Sequence, residues 1–279
     1  MLSALEKMLS NILRAPLFFI EEIYHKKYII YQLTKRDFKN RYIGSTLGFL
    51  WTIIQPLVMM TILWFIFSFG FKVSLKSGVP FVAWLISGMV AWNFFADALN
   101  LTTDVFREYS FLVKKINFKI SILPIVKILS SFILHLVNLV ILIVILLITG
   151  IPISACWLQV IYYLGATLFL LLGIGWITSA LNVFTKDVSY VVGILLQFGF
   201  WMTPIFWDLQ MIPEKYRIFF KLNPMWYIVE GYRKAFIYQI PLWKESLMGT
   251  LYFWLISGMI LLSAVFIFKR LKPHFADVL

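Results

Sequence analysis

Acidic side chains are scarce in this chain. Only 13 aspartates and glutamates stand against 25 lysines and arginines, and charged residues of both signs make up 14% of 279 positions. A water-soluble domain carries about a quarter. With 61% hydrophobic residues and a mean hydropathy of +0.87, there is too little polar surface to cover a globule in water. A single cysteine, Cys156, leaves no intramolecular disulfide and no cysteine-based metal site. The three histidines, His25, His135 and His274, lie far apart with no ligand spacing, so no metal is expected. No Gly-x-x-x-x-Gly-Lys-Ser/Thr stretch is present, and the chain therefore has no recognisable ATP site of its own. No nucleophile–base pair or paired carboxylates stand in a defined setting, so no catalytic residue is expected. That argues against a membrane enzyme such as a glycosyltransferase. Repeats, low-complexity tracts and Ser/Gly-rich linkers are also missing, which reads as one membrane domain over 1–279. The apolar run at 15–20 is short and followed by Glu21 and Glu22, unlike a cleaved signal.

What the chain does have is long apolar runs. A spanning helix needs about 20 mostly apolar residues. Six stretches qualify: residues 47–71, 81–103, 122–149, 157–184, 188–207 and 247–268. The third should end sharply at Gly150 and Pro152. The formal net charge of +12 would point to nucleic acid in a soluble protein. Here the basic residues sit between apolar blocks, so they mark the cytoplasmic face and anionic lipid, and no nucleic-acid partner is expected. Eight precede the first span: Lys7, Arg14, Lys26, Lys27, Lys35, Arg36, Lys39 and Arg41. Arg107, Lys114, Lys115 and Lys119 follow the second span, and Lys269, Arg270 and Lys272 follow the sixth. The first outer loop has only Lys72 and Lys76. Six spans with both termini cytoplasmic fit this asymmetry, giving a cytoplasmic or interfacial segment 1–45, spans within 46–269 and a tail 270–279. The exception is residues 208–245, which carry six basic residues yet must lie outside, and which read as structured.

Several segments are candidates for function. Leu2, Leu5, Leu9 and Ile12 recur as on one helix face, and a second helical stretch after Pro16 leads to residues 31–42. There Leu33, Phe38 and Tyr42 alternate with Lys35, Arg36, Lys39 and Arg41, as in an amphipathic helix lying in the membrane plane. Two readings are open: a topology anchor, or an entrance where cations clamp an anionic headgroup. Residues 105–121 are short, amphipathic and headed by Arg107 and Glu108. Phe106, Tyr109 and Phe111 are expected to form an exposed aromatic surface for a soluble partner, or to face lipid. Within the spans, Asp97, Asn100 and Asp104 share one face. Lys127, His135 and Asn138 lie on the third span, where Lys127 is expected to snorkel. Such groups are either functional or hydrogen-bonded between helices. Trp51, Trp64, Trp92, Trp157, Trp201, Trp207 and Trp254 fall near span ends, as interfacial belts or as a surface for sugar rings. In residues 207–236, Pro213 and Asn223-Pro224 are each expected to open a short helix, with Glu230 reaching Arg233 and Lys234. Together these helices suggest a re-entrant pair.

Residues 36–57 (RDFKNRYIGSTLGFLWTIIQPL), 181–188 (LNVFTKDV), 200–207 (FWMTPIFW) and 222–226 (LNPMW) together resemble the permeases of type-2 ABC exporters for polysaccharides. The resemblance covers nearly the whole chain. It is nearest to O-antigen permeases, with capsule and teichoic-acid permeases further off. It implies an all-α integral membrane fold with six transmembrane helices, an N-terminal amphipathic interface helix and a re-entrant pair between spans five and six. It also implies a homodimer in the bacterial inner membrane with two copies of an ABC ATPase subunit that binds the ATP and magnesium. The cargo would be a glycan on undecaprenyl diphosphate. By the same resemblance, Lys35, Arg36, Lys39 and Arg41 lie near the lipid diphosphate's entrance. Arg107, Glu108, Phe111 and Lys114 belong to the coupling segment that docks on the ATPase. Trp51, Trp64, Phe198, Trp201, Phe206, Trp207 and Trp226 line the polymer path and outer gate. Competing readings are a drug or lipid exporter of the same fold, which the aromatic richness of spans one and five disfavours, and an ion-coupled flippase. The flippase would need more spans and internal repeats.

Overall fold

The computed structural model describes residues 23–72, 78–115 and 118–279, and these form helices without a strand among the described residues. Expectations for the first 22 residues, including the Leu2–Ile12 face, lie outside them, as does Lys76. Helix α1 (Lys27–Asn40) comes first. A 3₁₀ turn, Gly48–Leu50, leads into α2 (Trp51–Phe65), which a π turn extends through Ile66–Gly70. Helix α3 (Phe81–Thr103) starts directly after Pro80, where a missing N–H leaves no bond unmade. Two single-turn pieces follow, α4 (Val105–Glu108) and α5 (Ser110–Val113).

Helix α6 (Leu123–Ile148) carries Pro124 in its first turn and stops before Gly150, whose φ of 77° only glycine adopts without strain. A 3₁₀ turn, Ala155–Gln159, opens on Ser154, whose hydroxyl accepts from the Cys156 N–H, and continues into α7 (Val160–Phe184). Helix α8 (Asp187–Met202) follows a two-residue turn. Next are α9 (Glu214–Lys221) and α10 (Pro224–Arg233), whose first N–H groups Asn223 caps by accepting from Met225. Helix α11 (Leu247–Leu271), capped by Ser246, and α12 (Phe275–Val278) complete the chain.

Five helical segments among the described residues are long and apolar enough to cross a membrane: Gly48–Gly70, Phe81–Thr103, Ile120–Ile148, Ala155–Phe184 and Leu247–Val278. The stretch expected as the fifth span, 188–207, is shorter than predicted, because its helix ends at Met202 after 16 residues. The cause is Pro204: it disfavours helical backbone at the preceding residue, and Thr203 turns to ψ 131°. Both short helices anticipated from Pro213 and Asn223-Pro224 are present.

Helix α3 is the hub. Its most apolar stretch is 78% buried, against 17% for Gly48–Gly70. It packs along α6, α7 and α10, α11 packs on α7, and α1 lies against α6. The chain's course divides the bundle into two ends. One carries α1, α4, α5, the start of α6 and the turn into α8, together with most of the basic residues among those described. The opposite end carries α9 and α10. Large apolar side chains stay exposed on α2 (Val58, Ile62, Phe65) and on α8 (Val191, Ile194, Phe198). Water would not tolerate faces of this extent, whereas lipid tails or another apolar helix would.

Candidate functional site

Two polar centres stand out, one at each end of the bundle. At the basic end, Ile30, Thr34 and Asp37 form the buried face of α1, at helical spacings of four and three. Asp37 meets Lys127 of α6 at 2.5 Å, with both side chains 3% exposed. The same ammonium reaches Glu108 of α4 at 2.6 Å. The Tyr109 hydroxyl donates to Asp37 at 3.1 Å. Burial first, and the adjacent Asp37 carboxylate second, push the Tyr109 phenol well above its ordinary pKa, so it keeps the proton it donates. Arg41 extends the centre. It reaches Asp97 of α3 at 3.0 Å and Ser131 of α6 at 3.2 Å, and stands 3.9 Å from Asp37. Lys127 therefore does not snorkel as expected; it is turned inward because two carboxylates from distant segments converge on it.

Of the four cations predicted for the lipid entrance, Lys35, Arg36 and Lys39 are exposed on α1, with Arg36 standing 5.9 Å over both the Tyr109 and Phe111 rings. Arg41 is half-withdrawn and held by carboxylates. Within residues 105–121 the expected exposed aromatic surface is largely absent. Phe106 and Tyr109 are buried against Phe268, Phe275 and neighbouring apolar residues, and Phe111 alone of the three is open. The Arg107 guanidinium also turns inward, donating to the Asn182 and Val183 carbonyls at 2.5 and 3.0 Å. These carbonyls belong to the last turn of α7, where the helix leaves acceptors unmatched. Lys114, with Lys115, Lys119 and Lys272, lines a hollow of about 480 Å³ beside Phe275. Asp104 accepts from Asn182 and Ser189 and ties α3, α7 and α8 at this end.

At the opposite end, Arg233 of α10 is fully buried. Its guanidinium lies 3.4 Å over the Trp84 ring, donates to the Ile205 carbonyl at 2.8 Å and pairs with Glu230 at 3.6 Å. Lys234 does not pair with Glu230 as expected. It reaches Glu245 at 2.8 Å, which also accepts from Tyr163. His135 of α6 bonds the Tyr232 hydroxyl at 3.1 Å, so it is a tie between helices.

The aromatic residues predicted for the path fall into separate places. Trp201, Phe206 and Trp207 meet at the opposite end: ring centroids of Trp201 and Phe206 are 4.7 Å apart, and the Trp207 indole donates to the Trp201 carbonyl. Phe206 is buried, also packing on Phe67 at 5.0 Å. Trp226 lies under Lys221 at 5.6 Å, and Trp64 beside Phe69 at 5.7 Å. Phe198 is exposed on α8 one turn before Trp201. Trp51 heads α2 about 20 Å from Trp64, thirteen residues away along the helix. The centre around Lys127 was missed because its members look ordinary singly; the one sign was Asp37, a lone acid sharing a helix face with Ile30 and Thr34.

Residues 28–237 match the ABC-2 type transporter family. An O-antigen export system permease protein, RfbA, from Klebsiella pneumoniae is 30% identical over 250 residues, covering 88% of this chain and 93% of its own length. A second from the same organism is 29% identical with the same coverage. One from Myxococcus xanthus is 26% identical over 266 residues, covering 92% of this chain and 98% of its own. With its apolar helices and a match over well more than half its length, the chain is a multi-pass membrane protein that belongs to the ABC-2 type transporter family.

Proposed function

We propose that the chain is the membrane subunit of an ATP-driven exporter moving undecaprenyl-diphosphate-linked polysaccharide of the O-antigen kind out of the cytoplasm. The observation that carries this reading is the end-to-end similarity to O-antigen export permeases, over 88% of this chain and 93% of the relative. Two copies of the chain work with two copies of an ABC ATPase, which supplies the ATP and magnesium site. The basic end faces the cytoplasm of the bacterial inner membrane, with both termini there, as the positive charge bias supports. Helix α8, continued by Thr203 to Trp207, serves as the fifth of six spans, α1 lies at the interface, and α9 with α10 form the re-entrant pair.

In this reading residues 105–121 are the coupling segment. Phe111 and Lys114 meet the ATPase, while Arg107 and Glu108 hold the segment to the bundle. Lys35, Arg36 and Lys39 attract the lipid diphosphate, with Arg41 behind them. The aromatic residues Trp51, Trp64, Phe198, Trp201, Phe206, Trp207 and Trp226 border the polymer's route and its outer gate. Aromatic faces offer stacking without deep pockets, which suits a sliding chain.

The test is purification with the candidate ATPase, and hydrolysis with and without lipid-linked glycan, alongside Phe111→Ala/Lys114→Ala. The expected result is co-purification, hydrolysis altered by glycan, and loss of that response in the variant. A chain that binds no ATPase and moves lipid alone would overturn the proposal in favour of an ion-coupled flippase.

A further inference from the structure

We infer that Lys127 of α6 is a positioning residue that links α1 and residues 105–113 through one buried centre, so that a displacement of either segment is passed to the other. The inference rests on the reading of residues 105–121 as the coupling segment.

Lys127 sits in the most apolar of the five long helices, Ile120–Ile148, and is only 2% exposed. A charge so placed is costly and serves no topological purpose that an outward-turned lysine would not serve better. It is retained against that cost by two carboxylates from separate segments. Asp37 comes from α1, 90 positions away in sequence, and Glu108 from α4, 19 away. The three N–H donors of one ammonium serve both carboxylates at once, and its charge offsets theirs, which a neutral donor would not do.

The pieces it joins cannot hold position alone. Helices α4 and α5 are four residues each, one turn, far below the length at which a helix is stable by itself. Their placement comes from tertiary ties: Phe106 in the core, Arg107 on the end of α7, and the pair Glu108 and Tyr109 on the Asp37–Lys127 centre. The ties differ in strength by exposure. Asp37 and Lys127 are both 3% exposed, and separating them would strand a buried charge. Glu108 is 51% exposed, and its pair is open to water and weak by comparison. Tyr109, buried and bonded to the same Asp37, supplies the second link from the segment to α1. Arg41 carries the connection on to Asp97, so a shift of α1 reaches α3, the hub of the bundle. A push on the exposed surface of residues 105–113 thus reaches the helix that presents Lys35, Arg36 and Lys39.

The experiment compares Glu108→Gln, Lys127→Arg and the double variant Asp37→Asn/Lys127→Met with the unaltered chain, each purified with the ATPase. The double variant removes both buried charges together, so neither is left stranded. The inference expects glycan exported per ATP hydrolysed to fall five- to tenfold in the double variant, in the range of coupling between linked sites. Glu108→Gln should fall less, and Lys127→Arg should keep most of the ratio. ATPase binding should be unchanged throughout. A wild-type ratio in the double variant would overturn it. A readout independent of the ATPase uses the chain alone in detergent, by hydrogen exchange of residues 27–40 and 105–113. Both segments should lose protection together in the double variant. A loss confined to one of them shows two independent ties and overturns the inference. If no ATPase binds the unaltered chain, the functional reading fails, and the exchange result still decides whether the two segments are linked through Lys127.

Discussion

Gly231 faces the ring of Tyr163 so closely that a Cβ there would lie 2.1 Å from Cε1. That ring has nowhere to go: Tyr163 is fully buried, and its hydroxyl is held by Glu245. Gly231→Ala is expected to destabilise the protein by about 1–3 kcal/mol, as overpacking of a tight core does. Thermal unfolding in detergent measures it, and a melting temperature unchanged from wild type would contradict the packing described. Two residues further, Arg233 is a buried cation that works by its shape. Its planar fork stacks on Trp84 while donating to the Ile205 carbonyl, a combination that a lysine, lacking the plane, does not reproduce. The same contrast separates Arg41 from its neighbours on α1. Lys35, Arg36 and Lys39 offer open charge, whereas Arg41 is already engaged by Asp97 and lies near Asp37.

At the scale of elements, the ending of α8 and the start of α10 depend on each other. Pro204 stops α8 at Met202, and the Thr203 hydroxyl then accepts from the side-chain amide of Asn223 at 2.9 Å, the residue whose Oδ1 caps α10. Asn223→Ala removes both bonds at once. Loss of the cap alone costs about 1 kcal/mol, and the turn after α8 loses its anchor with it. Hydrogen exchange is expected to speed up across residues 203–226 while α3 and α6 stay protected; unchanged exchange in that stretch would show that the cap is not what orders it. The apolar faces of α2 and α8, exposed along their lengths, are the surfaces on which a second copy or lipid must lie.

For the whole molecule, charge is distributed by end. Exposed cations of α1 and of residues 105–119 crowd the basic end, whereas the other end holds fewer, with Lys215, Arg217 and Lys221 on α9 beside the buried Arg233 and the Lys234–Glu245 pair. If the basic end admits a lipid diphosphate, Lys35→Glu/Lys39→Glu should abolish glycan export and leave membrane insertion intact, because neither residue belongs to the buried centre around Lys127. Export assayed in cells, with the membrane fraction blotted for the chain, checks it; export at the wild-type level would remove these lysines from the entrance. The double substitution also differs from changes at Lys127, which alter the yield of export per ATP rather than admission of the headgroup.

Hydropathy, proline and cap residues are local, so the sequence by itself determined five long apolar helices, four of them to within two residues at each end and the last from its start at Leu247 but not its end beyond 268, with the stop at Gly150 and the two short helices opened by Pro213 and Asn223-Pro224. It also carried, through its ordered motifs, the family to which the chain belongs. The length of α8 was partly legible, since Pro204 lies inside the apolar run that was read as one span. What only the tertiary structure decided is which polar groups meet. Lys127 looked like a lysine able to snorkel, Asp37 like one acid in a basic stretch, and Phe106 and Tyr109 like a docking surface. Lys127 and Asp37 lie 90 residues apart along the chain, Phe106 packs on the still more distant Phe268 and Phe275, and nothing in local composition encodes pairings that exist only after the helices have packed. The cost of an unpaired charge in an apolar helix makes such pairings necessary, and the packing of the helices chooses the partner.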